Sequence, residues 1–328
     1  MGEFDLIARY FTRPATRAVL GVGDDCALLQ PAPGTQLAIS SDMLVEGRHF
    51  FADVDPFTLG HKALAVNLSD LAACGAKPQA FTLALALPRV DEAWLAAFSK
   101  GLLTLADAHG CELVGGDTTH GPLNICITVF GEVPVVQGKS QALLRSGARP
   151  GDDVYVSGAV GDARLALEAL RGAAALPPDL LAQARRRLEQ PTPRVALGQA
   201  LRGIASSAID VSDGLLGDLG HILRASGVGA TLEAASVMNL MTSSAHPEWA
   251  VAGVNAERQM EFTLAGGDDY ELAFTAPASA RGAVEAAARQ AQTAVNRIGR
   301  IDALPGLRLL DAAGKPLQQH YASFDHFA

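Results

Sequence analysis

The chain has 328 residues, 49% of them hydrophobic, and a formal net charge of -9, so it is longer than one usual core and has apolar material for two domains. The acidic balance excludes the basic face that nucleic acid or anionic lipid requires, and no apolar run approaches the ~18 residues of a membrane span. Four scattered cysteines without a Cys-x-x-Cys pair read as buried free thiols, and an N-terminus without a secretory h-region adds to the expectation of a soluble, cytoplasmic protein that binds neither membrane nor nucleic acid.

Residues 3–11 place Phe4, Leu6, Ile7 and Phe11 at near-helical spacing, predicting a short amphipathic helix. "GVGDDCALL" at 21–29 is then a loop in which glycine leads into paired acids, Asp24 and Asp25. Residues 37–42 read as a buried strand delivering Asp42 to its end, with "MLVEGRHF" as the loop beyond. A helix over 57–74 is closed by Gly75, and its Asn67 and Asp70, three apart, share a face. Residues 80–87 alternate as a strand, and 91–109 form a helix with Asp91 as N-cap and Gly110 as stop. "CELVGGDT" is a short strand running into a glycine turn, 123–133 is another strand, and the polar stretch 138–152 connects two domains, 1–137 and 138–328.

The second half opens on a strand ending at Ser157 and Gly158, followed by a helix over 162–170. Gly158 and Gly161 allow two readings, an anion cradle on backbone N–H groups or a tight strand–helix turn. "SSAIDVSDGLLGDLGHIL" gives a strand reaching Asp210 and a helix beginning near Asp213. "DYELAFTA" is a strand, 277–292 a helix and "VNRIGRI" a strand. The alternation indicates mixed α/β or α+β layers in both halves.

Acids recur beside Gly, Ser or Asn at the ends of apolar runs. Two carboxylates 4 Å apart repel by ~4 kcal/mol at an effective dielectric of 20, so their convergence at neutral pH implies bound cations. Oxygen donors without thiolate pairs select Mg²⁺, which completes its shell with phosphate oxygens and so points to nucleotide phosphoryl chemistry. "GKS" at 138–140 is not a Walker A loop, because the earlier glycine is Val133, and the protein-kinase motifs are missing.

"GVGDDCA", "SDMLVEGRHF", "KALAVNLSDLAACGA", "GGDTTHG", "RSGARPGDDVYVSG", "AIDVSDGLLGDL", "GGDDYEL" and "FDHF", in this order, resemble the thiamine-monophosphate kinase family of the aminoimidazole-ribonucleotide-synthetase-like superfamily. The resemblance implies a two-domain α/β architecture with mixed α+β sheets, its N-terminal domain forming a homodimer and its C-terminal domain completing the nucleotide and substrate site. It implies phosphorylation of thiamine monophosphate to thiamine diphosphate by direct in-line transfer, with ATP as co-substrate and several Mg²⁺ ions. Carried over by motif, Asp25, Ser40, Ser41, Asp42, Asp70, Asp117, Asp210 and Asp213 hold metal. Gly116, Asp117, Arg145 and Ser212 contact ATP, and His49, Asp268 and Phe324 contact the thiamine substrate.

Asp24 either joins the metal set or shapes its loop. Arg48 and Phe324 depart from the family's usual residues, and Tyr321 is a second aromatic candidate. The acceptor already offers an anionic phosphate oxygen, so neither a general base nor a covalent nucleophile is expected. The alternatives are another ATP-using enzyme of the superfamily and a non-catalytic Mg-ATP-binding regulator.

Overall fold

A computed structural model describes residues 2–317. The chain forms two compact units: the first runs to Leu71 and resumes over Ala76–Ala142, and the second begins at Leu143 and takes in Ala72–Gly75.

The first unit contains α1 (Glu3–Tyr10), β1 (Thr35–Val45), α2 (Pro56–Ala73), β2 (Lys77–Leu87), α3 (Glu92–His109), β3 (Glu112–His120), β4 (Asn124–Val136) and β5 (Lys139–Ser140). Its sheet has the order β1-β4-β2-β3, with β5 on β4. Strands β2 and β3 are parallel, which requires the crossover that α3 supplies, and the other pairs are antiparallel. Period-two alternation on β4 buries Ile125, Ile127, Val129 and Val133 on one face. Asp91 caps α3 by accepting from Trp94 N, and Gly110 ends it in the left-handed region, as the sequence predicts.

Two local expectations need correction. Strand β1 extends through Met43–Val45, and it is not buried on both faces: Leu37 is 45% and Ile39 61% exposed, because these alternate residues lie on the face of the sheet opposite the one that buries Ile127 and Val129. Gly115 and Gly116 do not make a turn either. Strand β3 runs through them, since Gly116 at φ 147° lies so close to the Leu83 carbonyl that a Cβ would overlap it. The thiol expectation also needs amending, for Cys26 is exposed while Cys111 is buried, its thiol pushed up to about 12 by that burial.

The second unit contains β6 (Asp152–Ser157), α4 (Asp162–Leu170), α5 (Pro178–Glu189), α6 (Val195–Ala200), β7 (Ser207–Val211), α7 (Leu215–Ser226), β8 (Gly229–Glu233), α8 (Ala234–Met238), α9 (Ala256–Ala265), β9 (Glu271–Pro277), α10 (Arg281–Gln290), β10 (Val295–Asp302) and β11 (Gly306–Leu310). Its six strands take the order β11-β8-β10-β6-β9-β7, with only β11 and β8 parallel. Val154, Val156, Ile209, Val211, Leu219, Ile222 and Ile298 join one core, which fixes the ends of β7 and β9 where the acid-bearing loops begin. Among the described residues no helix is long and apolar enough to cross a membrane.

Candidate active site

In the first unit, α2 and β1 bring four polar residues together. Ser40 and Asp42 register opposite Val129 and Ile127, on the buried face of the sheet. There Asp70 accepts from the Ser40 hydroxyl, and the Asn67 side-chain oxygen accepts from Asp42 N at 3.1 Å. The i, i+3 spacing of Asn67 and Asp70 therefore turns both side chains of α2 toward β1. Ser41, opposite Thr128, points to the other face and bonds Thr128 Oγ1 at 2.9 Å, leaving only its main chain for a ligand on the Ser40 side.

A groove of about 810 Å³ is lined by Asp24, Asp25, Gly116 and Asp117, by Phe4 and Ile7 of α1 and by Phe11 just beyond that helix. Within the acid loop Asp25 N donates to Asp24 Oδ1 at 2.9 Å, so Asp24 shapes the turn that presents Asp25. The segment leading into this loop is pinned by Glu112, which accepts from the N–H groups of Thr16, Arg17 and Ala18 and from the Thr16 hydroxyl. Burial pushes the Glu112 carboxyl up, but these donors outweigh it and hold it below the usual range. His49 accepts from Val45 N through Nδ1 at 3.0 Å, which fixes its ring in the loop after β1.

In the second unit, Asp210 is buried at the penultimate position of β7, and the turn that follows the strand carries Ser212 and Asp213. Asp218, in the first turn of α7, reaches back to accept from Ser212 N at 3.0 Å and Asp213 N at 3.1 Å. Burial pushes its carboxyl up to about 7 despite those donors. The loop before β9 lies directly against this turn: Asp268 N donates to Ser212 O at 2.9 Å, and Tyr270 N donates to Val211 O at 2.8 Å. Gly267 permits the approach, since a Cβ there would meet the Ser212 carbonyl. Asp210, Ser212, Asp213 and Asp268 are thus neighbours.

Arg145 belongs to the same electrostatic neighbourhood. Burial lowers the His221 imidazole, the Arg224 and Arg145 cations lower it further, and Asp213 acts in the opposite sense. The Arg145 segment is held by Ser226, whose hydroxyl accepts from Gly147 N at 3.1 Å and Ala148 N at 3.2 Å.

The two readings of Gly158 and Gly161 separate here. Gly158 N goes to Ala294 O and Val160 N to Leu240 O, while Ala159 N donates to Glu271 and Gly161 N to both oxygens of Asp269. The turn's donors are used by the chain's own carbonyls and carboxylates, so it is a structural turn. Three supporting acids, Asp218, Asp269 and Glu112, are not among the residues that the sequence marks for the site. The only signal for the first two is a second acid in "SDGLLGD" and in "GGDD".

Among the described residues no group of three His, Cys, Asp or Glu side chains could enclose a metal. The donors fit Mg²⁺ nonetheless, because the proposed set is all oxygen, and this ion takes one or two carboxylates and leaves other positions to water and phosphate. Phe324 and Tyr321 lie outside the described residues.

Residues 23–133 match the family model "AIR synthase related protein, N-terminal domain", and 149–311 match "AIR synthase related protein, C-terminal domain". The chain is 46% identical to the thiamine-monophosphate kinase of Escherichia coli K12, covering 100% of this chain and 98% of the relative. The crystal structure of thiamine-monophosphate kinase from Stenotrophomonas maltophilia K279a superposes with a TM-score of 0.82 at 44% identity, covering 96% of each chain. AaThiL complexed with AMPPCP and TMP gives a TM-score of 0.75 at 27% identity, covering 91% of this chain and 89% of that one.

Proposed function

The chain belongs to the thiamine-monophosphate kinase family, and from that premise we propose that it transfers the γ-phosphoryl group of ATP directly to thiamine monophosphate, giving thiamine diphosphate and ADP. The observation that carries the reading is the bond from Asp268 N to Ser212 O at 2.9 Å. It sets the residue expected to meet thiamine beside the one expected to meet ATP, as donor and acceptor of one phosphoryl group must be. The similarity over the whole chain, and a relative complexed with AMPPCP and TMP, support the same choice.

A phosphate oxygen of thiamine monophosphate attacks the γ-phosphorus as the bond to the β–γ bridging oxygen breaks, and ADP leaves with that electron pair. No protein base is required. In the first unit Asp25, Asp42, Asp70 and Asp117, with Ser40 and the main chain of Ser41, would hold Mg²⁺, and Asp210 and Asp213 would do so in the second. Bound there, the cations neutralise phosphate charge and align the reacting oxygens. Gly116 and Ser212 take nucleotide contacts, and Arg145 holds phosphate with its planar fork. Asp268 faces the thiazolium cation, and His49 contributes to the thiamine side.

A second copy of the chain completes the assembly. The uncovered face of β1 carries Leu37, Ile39 and Met43, at 45%, 61% and 53% exposure, in period-two alternation with the inward Ser40 and Asp42. An apolar stripe on a sheet edge fits a self-complementary contact.

Purified protein supplied with Mg·ATP and thiamine monophosphate should form thiamine diphosphate and ADP in equal amounts. Absence of product with bound nucleotide would favour a regulator, and product from another acceptor in a competition panel would favour a different enzyme of the superfamily.

A further inference from the structure

Two buried acids of the second unit have no place in the chemistry above. Asp218 and Asp269 are 4% and 1% exposed, and their hydrogen bonds go to main-chain N–H groups: Asp218 to Ser212 and Asp213, Asp269 to Gly161 with both oxygens at 3.0 and 3.1 Å. Each fixes one loop. Asp218 fastens the turn after β7 to the start of α7, and Asp269 fastens the loop before β9 to the turn ahead of α4.

The loops are also fastened to each other by the bonds from Asp268 N to Ser212 O and from Tyr270 N to Val211 O. Asp269 stands between two non-glycine residues at positive φ, Asp268 at 66° and Tyr270 at 51°. Such conformations persist only where the surroundings over-determine them, and here the surroundings are the neighbouring loop and the buried carboxylate. If the turn at 212–214 shifts, it either breaks the bonds that hold Asp268 or carries Asp268 with it.

We propose that Asp218 and Asp269 are positioning residues that brace residues 211–214 and 267–270 into one coupled piece, so that nucleotide bound at the first loop favours thiamine monophosphate at the second, and the reverse. The inference rests on the functional reading above for the ligand of each loop. Coupling of this kind is reciprocal by linkage, and typically alters affinity by about 5–150-fold.

Amide hydrogen exchange on the full wild-type chain tests it without any substitution. With Mg·AMPPCP alone, exchange should slow in both loops, and thiamine monophosphate alone should also slow both. If each ligand protects only its own loop, the coupling is wrong although the function stands. If thiamine monophosphate protects nothing and no thiamine diphosphate is formed, the functional reading fails as well. As a second measurement, Asp218→Ala, which removes the oxygen that accepts from both N–H groups, should raise the KM for thiamine monophosphate about 5-fold or more, together with that for ATP, whereas Asp218→Asn, which keeps an acceptor oxygen there, should restore both. A lower Tm with the KM for thiamine monophosphate unchanged would reduce Asp218 to a structural role and overturn the proposal; a variant that does not fold leaves the wild-type exchange experiment to decide.

Discussion

At Asp70 the carboxylate that orients the Ser40 hydroxyl is also proposed to meet a cation, and the two duties can be separated. Asp70→Asn keeps the shape and a hydrogen-bond acceptor but removes the charge. We expect turnover to fall about 10²–10³-fold, the range for losing one preorganised electrostatic contact, while circular dichroism and Tm stay near wild type. Near-normal turnover would remove Asp70 from the metal set. Glu112 acts through conformation. Its carboxyl is held below the usual range, so its contribution is present above the unfolded value and is lost as pH falls through the lower, folded one. Thermal unfolding from pH 7 down to about pH 3 should therefore show Glu112→Gln less stable at neutral pH, with the difference from wild type shrinking in acid; a constant difference would assign the effect to packing. The spacing of Asn67 and Asp70 is legible because 3.6-residue periodicity is local. Asp269 is not legible in that way, because its partner Gly161 is 108 positions away and nothing local marks the acid as buried.

Among the elements, β1 shows how one alternating strand divides its work between faces. Ser40 and Asp42 turn to α2, whereas Leu37, Ile39 and Met43 face outward. If the second copy proposed above docks on this face, wild-type protein should sediment as a dimer and Ile39→Lys as a monomer with its secondary structure retained; a sedimentation coefficient unchanged by the substitution would overturn that docking. In the second unit Glu271, fully buried at the start of β9, takes Arg187 of α5 at 2.7 Å and Arg194 at 2.6 Å, with Ser157 Oγ donating at 2.6 Å from the end of β6. Removing its charge strands two guanidinium groups, so Glu271→Ala should lower unfolding stability by about 3–5 kcal/mol in urea. A loss under about 1 kcal/mol would mean that the arginines find water. Strands and helices with sharp ends, such as α3 between Asp91 and Gly110, were readable from their caps. The segment holding β8, α8 and α9 was not assigned, although Asn255 caps α9 by accepting from Arg258 N at 2.8 Å, a signal of the same kind as Asp91. The glycine pair at 115–116 misled because close approach of strands and a turn select the same residue.

For the whole molecule, a net charge of -9 means that polyphosphate must arrive with compensating cations. A Mg·ATP analogue at 100 times its Kd should stabilise the folded chain by about 2.7 kcal/mol, read as a higher Tm, and excess chelator should abolish that gain. A gain that survives chelation would argue for binding through Arg145 and the main chain alone. The two-unit organisation and the acid-bearing loops were legible because length, glycine and charge patterning report on them directly, but which acids support and which present themselves emerged only from the three-dimensional bonding. The pairing of β1 with β4 has a further effect during synthesis. Ser41 and Thr128 bond across 87 positions, and at ~5–20 residues per second the ribosome needs roughly 4–17 s to deliver the second after the first. Through that interval the main-chain edge of β1 that β4 takes in the finished sheet stands unpaired. The yield of folded protein in a cell should therefore follow translation speed and chaperone supply more closely than the stability of the finished fold.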